Sequence, residues 1–115
     1  MGIIRINMEE AQKSIFLEVM GNYPINRVLD FLIIHEDFDY SMKEIAVKSG
    51  VGYSTLKLFW KDLVNSGIME FTRNIGKAKL YKLNKKNSIV EQFKKLYWTI
   101  THKVTEDMLK EKIIA

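Results

Sequence analysis

The chain of 115 residues predicts a mainly α-helical fold carrying one small β-hairpin, in which an N-terminal helix is followed by helix, helix, turn, helix, hairpin and long terminal helix. Apolar residues recur at steps of three and four through most of the chain, the spacing of one buried helical face. In "IMEFTR" and "KAKLYKL" the period changes to two, as a strand requires. Glycine, proline and capping residues fall at the breaks between these runs.

Met1 to Asn7, "MGIIRIN", is either a short strand or an ordered tail. A first helix is expected over 9–20, where Ala11, Ile15, Phe16, Val19 and Met20 share one face. Gly21 ends it, and Pro24 suits the first turn of the next helix, "PINRVLDFLIIHE". There Ile25, Val28, Leu29, Leu32 and Ile33 form the buried stripe. "DFDY" is a connector with room for a short strand at 38–40, and Glu36, Asp37 and Asp39 read as a solvated acidic loop. Ser41 and Glu44 stand in capping-box relation, and Gly50 stops the short helix they open by taking a left-handed conformation. A further helix is expected from about Ser54 to Ser66, stopped by Gly67.

The hairpin follows, with Asn74 and Gly76 of "NIGK" supplying its turn. Met69, Phe71 and Leu80 are assigned to inner faces, and Glu70, Thr72, Lys79 and Lys82 to water. The last helix, 88–112, is capped by Asn87 or Ser88, with Ser88 and Glu91 in a second capping-box relation. Its stripe is Ile89, Phe93, Leu96, Ile100, Val104 and Met108.

The length suits one domain, and no apolar run approaches the ~20 residues of a membrane span. With no cysteine, a thiolate metal site and a disulfide framework are excluded, and a soluble, cytoplasmic protein is expected. The net charge is +4, but its distribution is uneven: 1–50 carries 5 Lys/Arg against 8 Asp/Glu, whereas 51–86 carries 8 against 2. Positive potential is therefore concentrated on the second helix after the turn and on the hairpin. On a wheel of 100° per residue, Phe59, Trp60, Leu63 and Val64 lie within about 80° of Leu56. Ser54, Lys57, Leu58 and Lys61 occupy the opposite arc. A hydroxyl and two ammonium groups on that face suit the phosphates and base edges of a DNA major groove. Arg73, Lys77 and Lys79 on the hairpin can straddle the neighbouring backbone or enter the minor groove.

Residues 21–87, about three-fifths of the chain, resemble the winged helix-turn-helix domain of archaeal and bacterial transcriptional regulators of the broad ArsR-like and MarR-like kind. The resemblance is carried by "RVLDFLI", by "SMKEIAVKSGVGYSTLKLFWKDLVNSGIM" and by the return strand "GKAKLYKLN". It implies a buried turn valine at Val51 and a DNA-facing recognition helix presenting Tyr53, Ser54, Thr55, Lys57, Leu58 and Lys61. It also implies a wing tip from Asn74 to Lys77. Two residues depart from the pattern. Gly52 stands where relatives place a capping Ser or Thr, and Leu58 where polar residues are common, so Leu58 either meets a thymine methyl or belongs to a protein contact.

The stripe of the last helix, enlarged by Phe93, Tyr97 and Trp98, exceeds what one small core requires. Packing onto the first helices of the same domain accounts for it in one reading; in the other, a homodimer formed by helices 9–20 and 88–112 would place two recognition helices one DNA turn apart, asking for a palindromic double-stranded operator. The expected function is a sequence-specific DNA-binding transcriptional regulator with no cofactor. The alternative is a winged-helix protein-interaction module in a transcription or replication assembly. An enzyme is disfavoured: there is no glycine-rich phosphate loop, and His35 and His102 are isolated from any ligand spacing or catalytic partner.

Overall fold

A computed structural model describes residues 14–114; the predicted segments 1–7 and 9–13 lie outside them. Helix α1 spans Ile15–Met20, with the Ser14 hydroxyl accepting from the Leu17 amide at 3.1 Å. Helix α2, Pro24–Ile34, opens on the proline, whose missing N–H costs nothing at that position. Strand β1, Tyr40–Ser41, leads directly into α3, Met42–Ser49, and α4 follows over Tyr53–Asn65. Strands β2, Met69–Ile75, and β3, Ala78–Leu83, precede α5, Ser88–Ile114. The sheet is antiparallel in the order β1-β3-β2, so the hairpin is joined to the helical body through β1.

One core unites these elements. Val28 and Leu32 of α2, Ile45 of α3, Leu56 and Leu63 of α4, Met69 and Leu83 of the hairpin and Val90 of α5 are buried together. Asn87, not Ser88, opens α5: its side-chain oxygen accepts from the amides of Ile89 and Val90. Its amide nitrogen meanwhile donates to the Ser66 carbonyl at the end of α4. Ser88 is already helical, so the expected Ser88–Glu91 box does not form.

The predicted stripe of α5 holds in part: Phe93, Ile100, Val104 and Met108 are half-buried, and the departure lies at Ile89 and Leu96. Val90 and Tyr97 are its buried residues, whereas Ile89 and Leu96 are exposed. Both sets fit helical spacing, and what decides between them is Phe16 of α1. Its ring packs edge-on against Phe93 at 5.4 Å and at a tilt of 32° against Tyr97 at 5.1 Å. The Tyr97 hydroxyl donates to Asp30 of α2 at 2.7 Å, which gives a buried carboxylate a partner. Burial, and then donation to that carboxylate, push the Tyr97 phenol well above its ordinary range.

Candidate nucleic-acid interface

The turn between α3 and α4 is built from local chemistry. Ser41 accepts from the Glu44 amide at 3.1 Å while the Glu44 carboxylate accepts from the Ser41 amide at 3.0 Å, the predicted reciprocal cap. At the other end Gly50 takes φ 70°, a left-handed conformation that costs other residues a steric penalty. Val51 then turns into the core, and Gly52 caps α4 without a side chain.

The two faces of α4 separate as the wheel predicts. Leu56 and Leu63 are buried, and Phe59, Trp60 and Val64 are half-buried behind them. Tyr53, Ser54, Lys57, Leu58 and Lys61 are exposed, and Thr55 is half-buried. The Lys57 ammonium sits 4.7 Å from the Tyr53 ring centroid, a cation–π contact that orders both side chains at the start of the helix.

The hairpin is fastened beside this helix by aromatic contacts: Trp60 of α4 meets Tyr81 of β3 edge-on at 5.0 Å. Its turn is Gly76–Lys77, between the opposed residues Ile75 and Ala78. Gly76 has φ 59°, and Lys77 is not among the positive-φ residues, the sign pattern of a type II′ turn. Every residue from Arg73 to Lys79 is exposed. Asn74 and Lys79 face each other across the strands. Among the described residues no carboxylate lies within 4.0 Å of Lys57, Lys61, Lys77 or Lys79.

Two face assignments on β2 are corrected, the inner one of Phe71 and the outer one of Thr72, at a bulge. Phe71 opposes Tyr81 and Arg73 opposes Leu80, so Thr72 is the extra residue on β2. Thr72 is half-buried instead of facing water, its hydroxyl 2.6 Å from Asp39 Oδ2 and 3.2 Å from the Leu80 carbonyl oxygen. Phe71 is 51% exposed and meets Tyr81 edge-on at 5.9 Å.

Sequence reasoning missed the role of the acidic loop. Glu36 pairs with Lys94 of α5 at 2.7 Å, Asp37 with Lys85 at 2.6 Å, and Asp39 with Arg73 through two bonds of 2.9 and 3.1 Å. The loop is therefore a latch between α2, the hairpin and α5, not a freely solvated turn. The Arg73 guanidinium and the Thr72 hydroxyl hold the Asp39 carboxyl down at about 2. Lys85 likewise lowers Asp37 below the ordinary carboxylate range. Arg73 is thus committed to Asp39 and differs from the unpaired lysines of the tip. The only signal for this in the sequence is charge complementarity, three acids in four residues set against a basic run.

His35 stacks on Phe31 at 4.6 Å between ring centroids. Among the described residues no group of three His, Cys, Asp or Glu could hold a metal ion, and no helix is long and apolar enough to cross a membrane.

No protein-family model matches the chain, and no curated protein sequence matches it. Solved structures do. A ZitR variant from Lactococcus lactis aligns with a TM-score of 0.54 at 14% identity, over 76% of this chain and 66% of that one. The adhesin competence repressor AdcR from Streptococcus pyogenes aligns with a TM-score of 0.55 at 12% identity, over 90% of this chain and 79% of that one. The fold is a winged helix. This chain spans just under two-thirds of the length of ZitR. In winged-helix terms α4 occupies the recognition-helix position and β2–β3 is the wing, with Lys57, Lys61, Lys77 and Lys79 distributed over the two.

Proposed function

We propose that this winged helix is a double-stranded DNA-binding transcriptional regulator that acts as a homodimer and performs no enzymatic step. The observation that carries the reading is the pairing of two exposed elements, recognition helix and wing. Their four lysines have no carboxylate within ion-pair distance among the described residues. The acids of the neighbouring loop are instead neutralised by Arg73, Lys85 and Lys94. On this reading Lys57 and Lys61 enter the major groove with Tyr53, Ser54 and Thr55 near base edges, and Asn74, Lys77 and Lys79 meet the backbone or minor groove. Arg73 sets the angle of the wing through Asp39.

Dimerisation is supported by the apolar surface left over on the terminal helices. Ile89, Leu96, Trp98 and Leu109 of α5 and Val19 and Met20 of α1 are all exposed. A 27-residue α5 runs about 40 Å, long enough to span a two-fold interface. The corresponding operator is palindromic, with half-sites about 34 Å apart. A mobility-shift assay at low salt tests the reading: retained duplex is expected, and an unshifted duplex at micromolar protein overturns it.

A second reading, a winged helix that docks on another protein, is favoured by one specific observation. Leu58 on α4 is 81% exposed and Val47 on α3 is 79% exposed, both on the helix-turn-helix unit itself. An unshifted duplex together with capture of a transcription or replication protein, lost in Leu58→Ser, would replace the first reading by this one.

A further inference from the structure

The wing carries an apolar residue at the end where only polar ones would be needed to hold phosphates. Ile75 is the last residue of β2, immediately before the Gly76–Lys77 turn, and is 56% exposed. A singly exposed isoleucine is ordinary on a protein surface. Its position is what distinguishes this one. It opposes Ala78 across the turn, so two apolar side chains, one large and one small, stand together at the tip, bracketed by Asn74, Lys77 and Lys79. Nothing from Arg73 to Lys79 is covered by the body of the protein, and no acid occurs between Glu70 and Glu91.

We infer that Ile75 is a specificity-determining residue that reads the minor groove, selecting against guanine where the wing enters the DNA; this rests on the DNA-binding reading above. The floor of the minor groove presents only acceptors at A·T pairs, whereas a G·C pair adds the guanine 2-amino donor. An isoleucine side chain pressed into the groove offers that donor no acceptor and strips it of water, which costs free energy. Over A·T pairs the same side chain meets no unsatisfied donor. Lys77 and Lys79 act in the same direction, because narrow A·T minor grooves have the more negative potential. The minor groove is about 6 Å wide, so single side chains of the tip, not the two-stranded ribbon, are what enter it.

The test uses a duplex selected by the wild-type protein from a random pool, with A·T pairs at the wing position replaced by G·C or by inosine·C. Inosine·C keeps the major-groove pattern of G·C and lacks the 2-amino group. The wild-type protein is expected to bind the G·C duplex about tenfold more weakly than the A·T and inosine·C duplexes, the cost of one mismatched pair. In Ile75→Ser the difference shrinks to about twofold or less, and in Ile75→Val, which keeps the apolar surface and strand preference, it persists. Equal wild-type affinity for all three duplexes, or an unchanged ratio in Ile75→Ser, overturns the role of Ile75 while leaving DNA binding intact. A wild-type protein that retains no duplex even at low salt overturns the DNA-binding reading and this inference together.

Discussion

Salt dependence gives the proposed interface a number. Each phosphate neutralised by a cation releases condensed counterions, so log K falls with log salt at a slope of about −0.9 per contact. Four lysines of each protomer, Lys57, Lys61, Lys77 and Lys79, are exposed on α4 and the wing with no ion-pair partner among the described residues. A dimer engaging all eight has a slope of about −7 and loses about 10⁴ in affinity between 50 and 200 mM salt. The double change Lys57→Ala, Lys61→Ala removes two contacts per protomer, which brings the slope to about −3.6 and the loss to about 10². Arg73→Ala leaves the slope unchanged, since Asp39 already neutralises that guanidinium. Fluorescence anisotropy of a labelled duplex across this salt range measures all three proteins. A double variant with the wild-type slope would refute the placement of α4 on DNA, and a shallower slope in Arg73→Ala would refute the assignment of Arg73 to the latch.

The structural assignments make two further predictions. Tyr97→Phe keeps the ring against Phe16 but strips the buried Asp30 carboxylate of its donor, so the fold should lose about 1–3 kcal/mol, read as a lower midpoint in urea. An unchanged midpoint would mean that Asp30 finds another partner. The Asp39 carboxyl titrates at about 2 in the fold, below its unfolded value of about 3.9. Its contribution is therefore complete above the unfolded value and disappears as pH falls through about 2. The difference in melting temperature between the wild-type protein and Asp39→Asn should be flat above about pH 5 and shrink toward zero by about pH 2. A difference that persists at the acid end would contradict the Arg73–Asp39 pair as its source.

Local chemistry was legible in the sequence, and long-range pairing was not. The Ser41–Glu44 cap, the Gly50 stop and the two faces of α4 each depend on residues within one or two helical turns, and all three formed where the spacing put them. The order of helices and hairpin followed from the same signals. The latch joins residues 34, 48 and 58 positions apart, and no local rule predicts which lysine a loop carboxylate will find. The Thr72 bulge shifts the strand register by one residue, which a strict alternation over "IMEFTR" cannot represent. For α5, periodicity admitted both the Ile89–Leu96 face and the Val90–Tyr97 face, and the partner that chose between them was Phe16 on a different helix. At the candidate interface, wheel and charge count singled out the lysines, but the capture of Arg73 by Asp39 and the exposed position of Ile75 required the three-dimensional arrangement.

Selection of bound sequences from a random double-stranded DNA pool at low salt tests the central claim most directly. The account predicts enrichment of a palindrome with half-sites about one helical turn apart, flanked by A·T-rich steps where the wings fall. A pool that emerges without enrichment would contradict it and leave the exposed face of α4, with Leu58 at its centre, to a protein partner.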